Sequence, residues 1–93
     1  MGKETVLFKS EEKKTLGEVT GFLRKLADRL DSNKVEFIQG NQSVKVKVPS
    51  TVELEIKVEK ETGKRKTKKK IEIEIEWIVG GDTGKGASGV ELG

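Results

Sequence analysis

The segment Ile71-Glu72-Ile73-Glu74-Ile75-Glu76-Trp77 alternates apolar and acidic residues without a break. Successive side chains of a strand point to opposite faces, whereas an α-helix brings a face round every 3.6 residues. A strict period of two therefore predicts a strand with Ile71, Ile73, Ile75 and Trp77 on its dry face and Glu72, Glu74 and Glu76 on its wet face. The same period runs through 51–60, where Val52, Leu54, Ile56 and Val58 alternate with Glu53, Glu55, Lys57 and Glu59. It runs through 43–48 as well, with Val44, Val46 and Val48 set against Lys45 and Lys47. Lys34 to Gln39 places Val35 and Phe37 together. Gly40-Asn41, Pro49-Ser50 and Thr62-Gly63 punctuate these runs as turns. Consecutive strands with one apolar face predict an antiparallel meander, wet on one side. A slip of one residue would turn every Val and Ile into water, so register is well specified.

Upstream of residue 34 the period changes. Leu16, Val19, Phe22, Leu23, Leu26, Ala27 and Leu30 fall on one helical stripe. Thr15 and Glu18 form a capping box, each side chain satisfying an amide that the first turn leaves unpaired. Asp31-Ser32-Asn33 ends the helix, Asn tolerating the left-handed conformation of a C-terminal cap. Thr5 to Lys9 is predicted as a short first strand carrying Val6 and Phe8 on one face. The expected fold is therefore α+β in the order β-α-β-β-β-β, one amphipathic helix packed on a five-stranded, mainly antiparallel sheet. The expected strand order is 2-3-4-5-1. A tight turn at Pro49-Ser50 would set Lys47 near Glu53 and Lys45 near Glu55. Six of the 11 glycines lie between Gly80 and Gly93, so a domain over 1–78 and a flexible Gly-rich tail over 79–93 are predicted.

Charged residues make up 38% of the chain, which raises the question of disorder. Leu, Ile, Val and Phe account for 26 of the 93 residues, above the roughly 20% that marks disordered chains. The charge is mostly the wet half of the period-two pattern. With no Cys and no His, the chain lacks the usual thiolate nucleophile, the commonest general base and the commonest zinc ligands. No catalytic, cofactor or metal site is expected. Gly84-Lys85-Gly86 is no phosphate loop, because Val79 and Gly86 stand where Gly and Ser or Thr are required. No apolar run is long enough to span a bilayer, and the N-terminus lacks a signal-peptide core. A soluble, cytoplasmic protein is expected.

The chain resembles the amphi-Trp domain family, small prokaryotic proteins named for an amphipathic last strand that closes on a Trp. The resemblance is carried by Val6-Leu7-Phe8, the helix block from Phe22 to Leu30, Gly40, Val48-Pro49, Val52 to Ile56, and Ile71 to Trp77. It spans roughly residues 4–78. Family members have an Ala-rich first helical turn, where this chain has Gly17 and Gly21. The resemblance supports the fold and implies no biochemical activity.

Two features stand apart from the pattern. Lys64, Arg65, Lys66, Lys68, Lys69 and Lys70 form a basic tract at a predicted hairpin, and such a cluster can contact phosphates. Leu7 and Ile38 project to the charged side and form a candidate contact patch. The Glu stripe is read as the solvated face of the sheet, and Trp77 as the rim of the core. A small core favours association with a protein partner or a second copy. The expected function is that of a small non-catalytic interaction domain. The alternative is weak, sequence-independent binding of nucleic acid or another anionic surface through 64–70.

Overall fold

The structure is a computed structural model in which residues 2–80 are described. Among the described residues it holds one helix, α1 (Leu16–Asp31), and four strands: β1 (Lys34–Gln39), β2 (Gln42–Lys47), β3 (Glu53–Thr62) and β4 (Thr67–Glu76). The chain divides into two compact units on either side of Ser50 and Thr51. The first contains α1, β1 and β2; the second contains β3 and β4.

In the first unit, α1 starts at the predicted cap. The Glu18 N–H donates to Thr15 Oγ1 at 3.1 Å, and the Thr15 N–H donates to Glu18 Oε1 at 3.0 Å. The helix ends where Asn33 takes a left-handed φ of 62°. The Ser32 and Asn33 amides donate to the carbonyls of Arg29 and Leu30, satisfying groups that the last turn leaves open. Asn33 also ties down the far end of the hairpin. Its carbonyl accepts from the Val48 N–H and its Nδ2 donates to the Val48 carbonyl, both at 2.9 Å. β1 and β2 pair antiparallel with Val35 opposite Val46 and Phe37 opposite Val44. Gly40, at φ 59°, makes the turn between them, a conformation that costs glycine nothing. Among the described residues, Val35 and Val48 are the buried apolar ones, 7% and 9% exposed. Leu26 and Leu30 are half-buried, while Leu16 and Phe22 stay exposed.

In the second unit, β3 and β4 form a ten-residue antiparallel hairpin from Glu53 opposite Glu76 to Thr62 opposite Thr67. The Gly63 N–H donates to the Lys66 carbonyl at 2.8 Å and closes the loop. A Cβ at Gly63 would lie 3.0 Å from that oxygen, so glycine lets the two strands approach closely here. No residue of β3 or β4 is buried.

The expected five-stranded sheet is overturned. The strands form two separate two-stranded sheets, β1-β2 and β3-β4. Residues 2–14 contain no strand. Val6-Leu7-Phe8 carries no sustained alternation, and this segment is held by side chains. Phe8 and Phe37 stack at 5.7 Å between centroids, and Gln39 Nε2 donates to Glu12 Oε2 at 3.1 Å. β2 does not pair with β3: residues 48–52 between them lie in no strand, the Val48 amide is spent on the Asn33 carbonyl, and Pro49 has none to give. The expected pairs Lys47 with Glu53 and Lys45 with Glu55 are therefore replaced. Lys45 lies opposite Glu36 and Lys47 opposite Lys34, while Glu53 and Glu55 face Glu76 and Glu74. Of the predicted tail, residues 81–93 lie outside the described residues.

Candidate functional site

The β3–β4 register sorts the hairpin into two faces. Leu54 opposite Ile75, Ile56 opposite Ile73 and Val58 opposite Ile71 line one face, followed by Lys60 opposite Lys69 towards the loop. All six aliphatic side chains are exposed, from 37% at Ile75 to 72% at Ile71. Together they form an exposed apolar face on the hairpin. Trp77, directly after β4, is half-buried.

The opposite face is polarised along its length. At the open end Glu53 faces Glu76 and Glu55 faces Glu74. In the middle, Lys57, Glu59, Lys70 and Glu72 close a square of ion pairs. Lys70 Nζ lies 3.2 Å from Glu72 and 3.5 Å from Glu59, and Lys57 Nζ lies 3.8 Å from each of the same carboxylates. Hydrogen bonding to Glu72, that carboxylate's charge and the same two contributions from Glu59 hold the Lys70 ammonium above its ordinary pKa. Towards the loop, Glu61 faces Lys68.

The basic tract is thus divided. Lys70 is engaged by the square. Lys64, Arg65, Lys66, Lys68 and Lys69 are exposed and make no ion pair among the described residues. Alternation separates them further, placing Lys68 on the polar face and Lys69 on the aliphatic face, with Lys64, Arg65 and Lys66 in the loop. Leu7 and Ile38, the other candidate pair, are both exposed in the first unit, at 67% and 66%.

That unit also holds an open cleft of about 830 Å³. Phe8, Val19, Phe22 and Phe37 supply apolar walls, and Lys25 and Arg29 stand on the helix side. Ile38 lines this cleft and Leu7 does not. Sequence reasoning missed it. Its only signal was the i, i+4 spacing of Lys25 and Arg29 on α1. Lys14 pairs with Glu12 at 3.2 Å within its wall. Glu18 is held below the usual carboxylate range, first by the Thr15 amide and then by the charge of Lys14. Among the described residues no cluster of Asp and Glu is arranged to hold a metal ion. No helix among them is long and apolar enough to cross a membrane.

The alternating strand that leads into Trp77, the capped helix and the Val48-Pro49 break accompany a match of the Amphi-Trp domain profile to residues 1–92. The chain belongs to the Amphi-Trp domain family. The match covers both units, so the family pattern includes the exposed hairpin as well as the helical unit. Comparison of this Amphi-Trp chain with curated proteins and with solved structures finds no match.

Proposed function

We propose that this Amphi-Trp domain is a non-catalytic interaction module whose contact element is the β3–β4 hairpin. The supporting observation is the exposed aliphatic face of Leu54, Ile56, Val58, Ile71, Ile73 and Ile75 in one fixed register. An isolated two-stranded hairpin is at best marginally stable in water, so covering this face stabilises both the hairpin and the complex. The contact is mainly apolar and is expected to survive high salt. Sedimentation velocity of the full chain, alone and with candidate proteins, at about 0.1 M and about 1 M salt is the test. Ile73→Asp should abolish association while leaving the helical circular dichroism of the first unit intact. A chain that stays monomeric and partnerless at high concentration would overturn the reading.

A second reading is supported by the unpaired cations at the loop. Lys64, Arg65, Lys66, Lys68 and Lys69 would bind phosphates without reading sequence. Binding to a random duplex would then fall about tenfold or more between roughly 50 and 200 mM salt. Absence of binding at low salt removes this reading and leaves the first untouched.

A further inference from the structure

We propose that β4 is a pairing edge for β4 of a second copy of this chain, running antiparallel, with Ile71 opposite Ile71 of the second copy. The inference rests on the interaction-module reading and names its partner. Its basis is the charge order along β4. The strand is basic in its first half, with Lys68 and Lys70, and acidic in its second, with Glu72, Glu74 and Glu76, all on one face. Among the described residues β4 has one strand neighbour, β3, and no strand lies along its other edge.

A two-fold interface sets each residue against its symmetry mate's neighbours, so the edge must complement itself. β4 does so in one register. With Ile71 on the axis, Lys70 faces Glu72 of the second copy and Lys68 faces Glu74. Symmetry repeats both pairs. Lys66, one residue before the strand, then meets Glu76. On the aliphatic face Ile71 meets Ile71, and the stem of Lys69 lies over Ile73 with its ammonium free to reach water. The neighbouring registers are worse. Sliding by two residues one way sets Lys70 against Lys70, and the other way sets Glu72 against Glu72. Sliding by one turns isoleucines into the charged face. Parallel in-register pairing lines Lys with Lys and Glu with Glu. Lysines on an edge normally discourage strand addition; here their grouping into one half of the strand selects a single mode of it. The product is a four-stranded sheet, β3-β4-β4-β3, whose aliphatic face is continuous across the axis. Four strands with a hydrophobic face pass the threshold for independent stability that two do not reach.

The test is a charge-swap pair on the full chain. Lys68→Glu alone sets carboxylate against carboxylate twice across the axis, and Glu74→Lys alone sets ammonium against ammonium twice. Each should weaken homodimers roughly tenfold. Mixed together, the two variants restore both complementary pairs, and heterodimers should form at close to the wild-type affinity in sedimentation equilibrium. Because the chain has no Cys, single replacements give a clean map of register. Ile71→Cys should cross-link to its mate on mild oxidation. Ile75→Cys should not, since the two copies of residue 75 would lie about 27 Å apart along the strands. If wild type associates but the mixture gains nothing, or cross-linking peaks away from 71, this pairing is wrong and the interaction-module reading stands. If wild type is monomeric, the pairing is wrong, and the module reading then depends on whether another protein is bound.

Discussion

The two units face the same physical problem with different means. Each carries an apolar surface written into its sequence period. The first folds a helix against a hairpin, buries Val35 and Val48, and half-covers Leu26 and Leu30. Its ends are tied by side chains, with Asn33 holding Val48 and Gln39 holding Glu12. The second has two long strands, a complete ladder and an ion-pair square, yet buries no residue of either strand. Hydrogen bonds and exposed ion pairs each contribute little net stability in water. A second layer, more than ladder length, is what removes apolar side chains from solvent. The first unit therefore has a small buried core, whereas the hairpin of the second exposes its apolar face to solvent.

This contrast is most easily broken by placing the same charge in each unit. Val35→Asp leaves a carboxylate in a site 7% exposed and is expected to cost roughly 3–5 kcal/mol, the scale of an uncompensated buried charge. Val58→Asp, at a site 70% exposed, should change the monomer by about 1 kcal/mol or less. Helical circular dichroism at 222 nm follows α1, and fluorescence of the single Trp, Trp77, follows the end of β4. Equal losses in urea titrations of the two variants would show that both positions share one kind of environment.

The next largest effect concerns the joint of the first unit. Asn33→Ala removes the 2.9 Å bond to the Val48 carbonyl and forces alanine into φ 62°. The lost bond and the left-handed strain together suggest about 2 kcal/mol. Asn33→Gly keeps the backbone at ease and loses only the side-chain bond, so it should cost about 1 kcal/mol. If the two variants are equal in urea midpoint, the strain contributes nothing and the side-chain bond alone makes the joint.

These same residues show what the sequence made legible. Thr15, Glu18 and Asn33 announced both ends of α1, because caps are local chemistry that a few residues decide. The four alternating runs gave the strands nearly residue by residue, since a period of two fixes which way each side chain points. It does not fix which strand lies alongside. Alternation alone favours a turn at Pro49-Ser50 joining β2 to β3, but residues 48–52 form no tight turn and β2 pairs with β1 only. Thr5 to Lys9 carries three apolar residues in a row and no sustained alternation, and Phe8 reaches Phe37 as a side chain alone. In the candidate site, the parity of Lys70 with Glu72 was readable in advance. Its second partner, Glu59, required knowing that Thr62 pairs with Thr67. The cleft beside Lys25 and Arg29 depends on how the segment before α1 returns to β1, which no local period records.

The smallest effects give the comparison its finest test, because the resolved titrations of the two units have opposite signs. Glu18 is stabilised as a carboxylate by the Thr15 amide and by Lys14, so its pKa is lowered in the folded chain. A lowered pKa contributes stability above the unfolded value, and that contribution is lost as pH falls from 4.5 through the folded value. Lys70 is stabilised as an ammonium by Glu72 and Glu59, so its pKa is raised. Its contribution is complete below the unfolded value of 10.5 and is lost as pH rises through the folded one. Both groups are on the surface, and both effects should shrink in high salt. The 222 nm signal of α1 should therefore be less resistant to urea in acid, and Glu18→Gln should remove the part of that slope due to the capping box. The Trp77 signal should weaken on the alkaline side, and Lys70→Gln should remove that dependence while leaving the acid limb of α1 unchanged. If Glu18→Gln flattened the alkaline response of Trp77, or Lys70→Gln the acid response of α1, the two units would be coupled in their energetics, and stability would have to be assigned to the chain as a whole.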